Sequence, residues 1–235
     1  MNDALDKRFQ RSLDRLLGRF RADSEVSLVQ MFGSAQRRQL TERSDIDLYI
    51  VTDRREFWRS SEEVEGVEVE QVFCPLHVLH KRLSTYNAVA LQAFATGDTL
   101  LDRDRKAVEL VALARKIYQQ GPPPLKPRVL NVQRAMLTRI IQKLERLPGD
   151  SAEARFLAGD AVQRAVTFFY QHQQMWIRGL QHCVNDMRGR DARTAELLVR
   201  YLQEGQPAQA IAFLEAVIAP LGGHLQAYET ERTPC

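Results

Sequence analysis

Asp45 and Asp47, separated only by Ile46, are the residues whose types and spacing point most directly to chemistry. In an extended strand, residues two apart point to the same side, so both carboxylates aim at one spot while Ile46 turns to the opposite face. Two hard oxygen donors converging in this way suit a magnesium ion. Gly33-Ser34 precedes the pair with ten residues between. Gly33 lets the backbone come close to a phosphate, and Ser34 can offer its hydroxyl and main-chain N–H to the same group if a helix begins there. Arg37 and Arg38 follow closely enough in sequence to neutralise charge. A third carboxylate would complete a two-metal arrangement, which stabilises both the attacking oxygen and the pyrophosphate leaving group of an in-line displacement. Glu68 and Glu70 again sit two apart, and either can supply it.

These residues need elements to position them. Leu5, Phe9, Leu13, Leu16, Leu17 and Phe20 recur every three or four residues and predict an amphipathic helix ending near Gly18 to Ala22. Val26, Leu28, Val29, Met31 and Phe32 form a run of strand formers stopped by Gly33-Ser34. Asp45 to Val51 reads as a second strand, and Val67 to Cys74, closed by Pro75, as a third. Leu76 to Phe94 reads as one helix, Thr99 to Asp102 as a short last strand, and about Asp104 to Gln120 as another helix.

Gly121-Pro-Pro-Pro124 breaks every regular element and predicts a domain boundary. Beyond it the chain reads as helical. Val129, Val132, Met136, Ile140, Leu144 and Leu147 form one stripe, a helix of roughly 151–183 follows, and two more span about 192–203 and 207–219.

Composition narrows the class. With 235 residues, 44% hydrophobic and 27% charged, the chain can bury two compact cores and is not of the disordered type. It contains no apolar run near the roughly 18 residues that a spanning helix needs, so no membrane partner is expected. The N-terminal residues MNDALDKRFQ lack a secretory h-region, and Cys74, Cys183 and Cys235 show no zinc-type spacing, so a cytoplasmic protein is expected. Residues 1–105 carry 16 Lys and Arg against 18 Asp and Glu, and the remainder 17 against 12. An acidic, metal-collecting first half and a basic second half suit a polyphosphate.

Phe32-Gly33-Ser34, Ser44-Asp45-Ile46-Asp47-Leu48 and the strand containing Glu68 and Glu70 resemble the DNA polymerase beta-like nucleotidyltransferases. The likeness is strongest to the minimal bacterial members and the aminoglycoside and lincosamide enzymes, and spans about residues 25–105. It implies that Gly33 and Ser34 contact the triphosphate, that Asp45 and Asp47 bind two Mg²⁺ ions, and that a third carboxylate on a neighbouring strand joins them. Many relatives carry a glycine where this chain has Arg38, which is taken here as a further nucleotide contact. Glu70 is the expected third acid, because the relatives' residue usually precedes an apolar strand end, here Val72-Phe73-Cys74; Glu68 is the alternate.

The expected fold is therefore α+β: a small mixed-sheet nucleotidyltransferase domain with flanking helices over residues 1–120, then an all-helical, substrate-selecting domain over 125–235. The expected activity is metal-dependent transfer of a nucleoside monophosphate, AMP from ATP, onto a hydroxyl acceptor with release of pyrophosphate. Asp45, Asp47 and Glu70 are the catalytic and metal-binding set, and ATP or another nucleoside triphosphate is the co-substrate. The acceptor expected is a small molecule ahead of protein or RNA, and a homodimer is the assembly considered. The alternative is a catalytically degenerate nucleotide-binding or antitoxin-like interaction module. A ribonuclease motif needs four to six residues between Arg and His, whereas Arg178–His182 leaves three and Arg164–His172 seven. Glu145, Glu153 and Asp160 are candidates for a general base.

Overall fold

The computed structural model describes residues 3–33, 41, 44–177 and 179–229. The chain divides into two compact units, Met1–Gly121 and Pro122–Cys235.

In the first unit, helix α1 (Asp3–Ala22) precedes strands β1 (Val26–Phe32), β2 (Ile46–Thr52), β3 (Trp58–Val64), β4 (Val67–Pro75) and β5 (Asp98–Asp102). The sheet order is β3-β4-β2-β1-β5, with β2 and β4 parallel and every other neighbouring pair antiparallel. Strand β2 is buried almost throughout, as a central strand covered on both faces must be. Its even-numbered residues Ile46, Leu48 and Ile50 pack with Phe9, Leu16 and Phe20 of α1. Tyr49 points to the other face, where its ring meets Phe94 edge-on.

Strand β3 is absent from the sequence reading. Its residues WRSSEEV carry little apolar signal because it is an edge strand with one polar face. A Glu65-Gly66 turn, both residues at positive φ, joins it to β4, with Val64 and Val67 paired at the hairpin end. Three contacts seat its other face. Trp58 stacks on Phe73 with ring centroids 4.3 Å apart, Glu62 accepts from Arg19 and Gln71, and the Val64 carbonyl accepts from the Ser12 hydroxyl.

The predicted helix over Leu76–Phe94 is two helices, α2 (Leu76–Ser84) and α3 (Ala88–Thr96). Tyr86 adopts φ 59°, and the Asn87 side chain caps α3 by accepting from the Ala90 N–H. Both substitute for the glycine or proline that normally marks such a break. Helix α4 (Ala107–Gln120) begins later than expected because the Asp102 carboxylate accepts from the N–H groups of Lys106 and Ala107.

The second unit is built from α5 (Pro127–Arg146), α6 (Ala152–His172), a short α7 (Cys183–Arg188), α8 (Ala192–Glu204) and α9 (Pro207–Ile218). The core face of α5 is Leu137, Thr138, Ile141 and Leu144. Val129 and Met136, which the expected stripe included, are 42% and 36% exposed. Helix α6 stops at His172 rather than near 183, where Gln174 at φ 52° turns the chain. Alanines 154, 158, 161 and 165 on α6 are fully buried and let neighbouring backbones approach closely around Phe168, Phe169, Tyr170 and Phe213. Trp176, beyond the end of α6, is half-buried.

Gly97 marks a close backbone approach in the sheet unit. A β-carbon there would overlap the Ala93 carbonyl oxygen and lie 2.6 Å from that of Met31, and neither backbone group can swing aside. Gly18, mid-helix in α1, has open space around it. Gly97→Ala should therefore cost about 1–3 kcal/mol, while Gly18→Ala should gain about 0.5–1 kcal/mol, both read from urea unfolding midpoints.

Candidate active site

The sheet register gathers the candidate residues. Phe32 pairs with Asp47, Asp47 with Glu70, and Glu70 with Ser61, so one cross-strand row runs over β1, β2, β4 and β3. Residues directly opposite one another share a face, and their β-carbons lie about 4.5–5.5 Å apart. The row is therefore Phe32, two carboxylates and a hydroxyl on one surface. Asp45 stands two residues before Asp47, immediately ahead of β2. Glu68 lies two residues from Glu70 on the same face; it is opposite Glu63 and 3.4 Å from the Ser61 hydroxyl.

Gly33 follows Phe32 with φ +76°, a conformation that favours glycine. A β-carbon at this position would overlap the Asp47 carboxylate. The bare α-carbon is thus what allows the β1 end to lie against Asp47. Ser34 and Arg38, the other expected nucleotide contacts, and Arg37 lie outside the described residues, as does Arg178.

Electrostatics mark the centre of the row. The Asp47 carboxyl is pushed up to about 7, first by burial and then by the negative charges of Asp45 and Glu70. A divalent cation would relieve that repulsion, and three carboxylates form the donor set of a hard, oxygen-seeking ion. Among the described residues no three His, Cys, Asp or Glu side chains stand within reach of a single ion, so a cation would have to draw the carboxylates inward.

An open pocket of about 420 Å³ rises over the row, lined by Asp47, Glu70, Arg59, Ser60, Ser61 and Val89 among others. Arg59, Ser60 and Ser61 belong to the strand that the sequence reading missed. The Glu65-Gly66 turn before Val67 was the available signal, since Glu-Gly flanked by valines can close a hairpin. The second unit has a separate polar pocket of about 360 Å³, lined by Gln133, Gln163, Gln171, Thr167 and the Asp160–Arg164 ion pair. Asp160 is thus engaged at 2.7 Å, while Glu145 and Glu153 are exposed.

The raised Asp47 carboxyl gives a signed pH dependence. Between the ordinary aspartate value of about 4 and about 7, the folded protein binds a proton that the unfolded chain does not. Metal-free stability therefore falls as pH rises through that window, and the loss is complete above it. In EDTA, Asp47→Asn should raise the melting midpoint at pH 8, by about 2–4 °C per kcal/mol of repulsion relieved, and leave it nearly unchanged at pH 4. Thermal melts at the two pH values check this.

The family model of the polymerase beta nucleotidyltransferases matches residues 16–106, which include every described residue of the row. No curated protein matches the chain. Among solved structures, a nucleotidyltransferase-like protein from Exiguobacterium sibiricum 255-15 aligns over 90% of this chain and 75% of its own, at 15% identity and a TM-score of 0.48. No helix among the described residues is long and apolar enough to cross a membrane. Residues 16–106 therefore form a polymerase beta-type nucleotidyltransferase domain, which supports a transferase activity for the chain.

Proposed function

We propose that the protein transfers a nucleoside monophosphate, AMP from ATP, onto a hydroxyl acceptor in a magnesium-dependent reaction. The observation that carries this reading is the Asp47–Glu70 pair in adjacent parallel strands, with the bare α-carbon of Gly33 against Asp47. Asp45, Asp47 and Glu70 would hold Mg²⁺, which when bound neutralises the triphosphate and the developing charge of the leaving group. Glu70 is favoured over Glu68 as the third acid because it faces Asp47 directly and its charge acts on that carboxyl.

Gly33 and Ser34 hold the triphosphate in this reading, the glycine by permitting close backbone approach and the serine by donating hydrogen bonds. The acceptor oxygen forms its bond to the α-phosphorus as the bond from that phosphorus to the bridging oxygen breaks, and pyrophosphate leaves with the electron pair. The hydroxyl proton passes to a base or to water. The helical residues 125–235 take part in selecting the acceptor; the polar pocket of the second unit, rich in glutamine amides, suits a hydroxylated molecule.

Pyrophosphate release measured with ATP, Mg²⁺ and a panel of hydroxyl compounds tests the reading. At least one acceptor should raise release above the background with ATP alone, and Asp45→Asn should lower that rate by about 100-fold or more. A flat response with every acceptor and every nucleoside triphosphate would overturn it.

A further inference from the structure

The carboxylates leave one conspicuous group in their pocket unused. Arg59 lies on β3 opposite Val72, two residues along from the Ser61–Glu70 pair, so it projects from the same sheet face as Glu70 and Asp47. It lines the same pocket. Its guanidinium makes no ion pair or hydrogen bond with any described residue, although Glu70 is its diagonal neighbour across the strands. Other arginines near this edge are engaged: Arg19 with Glu62, Arg54 with Asp23 and Glu25, and Arg82 stacked over Phe57.

The position of Arg59 in the sheet says which part of a substrate it meets. Across the site face the order is Gly33 at the end of β1, Asp47 on β2, Glu70 on β4, then Ser61 and Arg59 on β3. If the triphosphate lies at Gly33, the leaving pyrophosphate departs on the β1 side. An in-line displacement then requires the attacking hydroxyl to approach from the opposite side, which is the β3 edge. A guanidinium there presents a planar fork of donors that matches phosphate or carboxylate oxygens.

We infer that Arg59 recognises an oxyanion carried by the acceptor, so that the acceptor is a small hydroxyl compound bearing its own phosphate or carboxylate. Ser61, on the same face, adds a hydroxyl group to this wall. The fixed face of β3, with Trp58 on Phe73 and Glu62 on Arg19, holds this edge in place while Arg59 stays available. The inference rests on the nucleotidyl-transfer reading with the triphosphate at Gly33.

The test is calorimetry on the full chain presaturated with Mg²⁺ and α,β-methylene-ATP, which binds without turnover. Glycerol 3-phosphate, glycerate and glycerol are then titrated into wild type, Arg59→Ala and Arg59→Lys. Wild type should bind at least one of the two anions about 10-fold or more tighter than glycerol. Arg59→Ala should erase that preference without altering affinity for the nucleotide analogue, and Arg59→Lys should retain part of it. The stronger anion tells phosphate from carboxylate recognition. If wild type binds the analogue yet shows no preference for either anion, the inference fails while the nucleotide reading stands. It also fails if Arg59→Ala weakens the analogue itself, which would assign Arg59 to the triphosphate. If wild type does not bind the analogue at all, the nucleotide reading fails and takes this inference with it.

Discussion

The parallel pairing of β2 with β4 is the constraint on which the rest of this site depends. It sets Asp47 beside Glu70 and, through the antiparallel neighbours, extends the row to Phe32 and Ser61. Side chains alternate along a strand, so a slip of one residue would send Glu70 to the face covered by α1 and bring Gln71 opposite Asp47. The register is held by apolar residues of opposite parity: Ile46, Leu48 and Ile50 on β2 and Val67 and Val69 on β4 all pack into the core with α1. The core beneath the sheet thus keeps two like charges together above it. Burial first, and then the charges of Asp45 and Glu70, raise the Asp47 carboxyl at this place.

Helix α1 extends the same control to the edge of the sheet. Burying each of Phe9, Leu16 and Phe20 contributes about 1.5–3 kcal/mol, which fixes the helix to the strands. From there Ser12 reaches the end of β3 and Arg19 forks onto Glu62. The Arg19–Glu62 pair is half exposed, and such pairs contribute only about 0–1 kcal/mol, so its value lies in aligning β3 more than in stabilising it. The Trp58–Phe73 stack adds about 0.5–1.5 kcal/mol beyond its buried area. Together these contacts use one face of β3 and leave the other, with Arg59 and Ser61, to the pocket.

Much of this was legible in the sequence, and the illegible parts have physical reasons. Strands β1, β2 and β4 announce themselves because they are central and apolar, and the proline run after Gly121 marks the division into two units. The Asp45-Ile46-Asp47 spacing predicts two carboxylates on one strand face; β2 begins at Ile46, and Asp47 lines the pocket. Strand β3 does not show, because its inward position at Glu62 is satisfied by an arginine from α1 instead of by an apolar side chain, and the pocket wall carrying Arg59 went with it. Glu68 and Glu70 are equivalent by alternation alone; only the cross-strand pairing distinguishes the one beside Asp47. The breaks at Tyr86 and Gln174 use positive φ in residues other than glycine, which no local pattern signals.

Calorimetric titration of ATP with Mg²⁺ into wild type, Asp47→Asn, Glu70→Gln and Glu68→Gln tests whether the cross-strand row binds the metal–nucleotide, because it separates two glutamates that lie on one strand face. Magnesium-dependent binding is expected in wild type and in Glu68→Gln, and its loss in Asp47→Asn and Glu70→Gln. Loss in Glu68→Gln with binding retained in Glu70→Gln, or magnesium-independent binding in all four proteins, would rule out the Asp47–Glu70 row as the metal site.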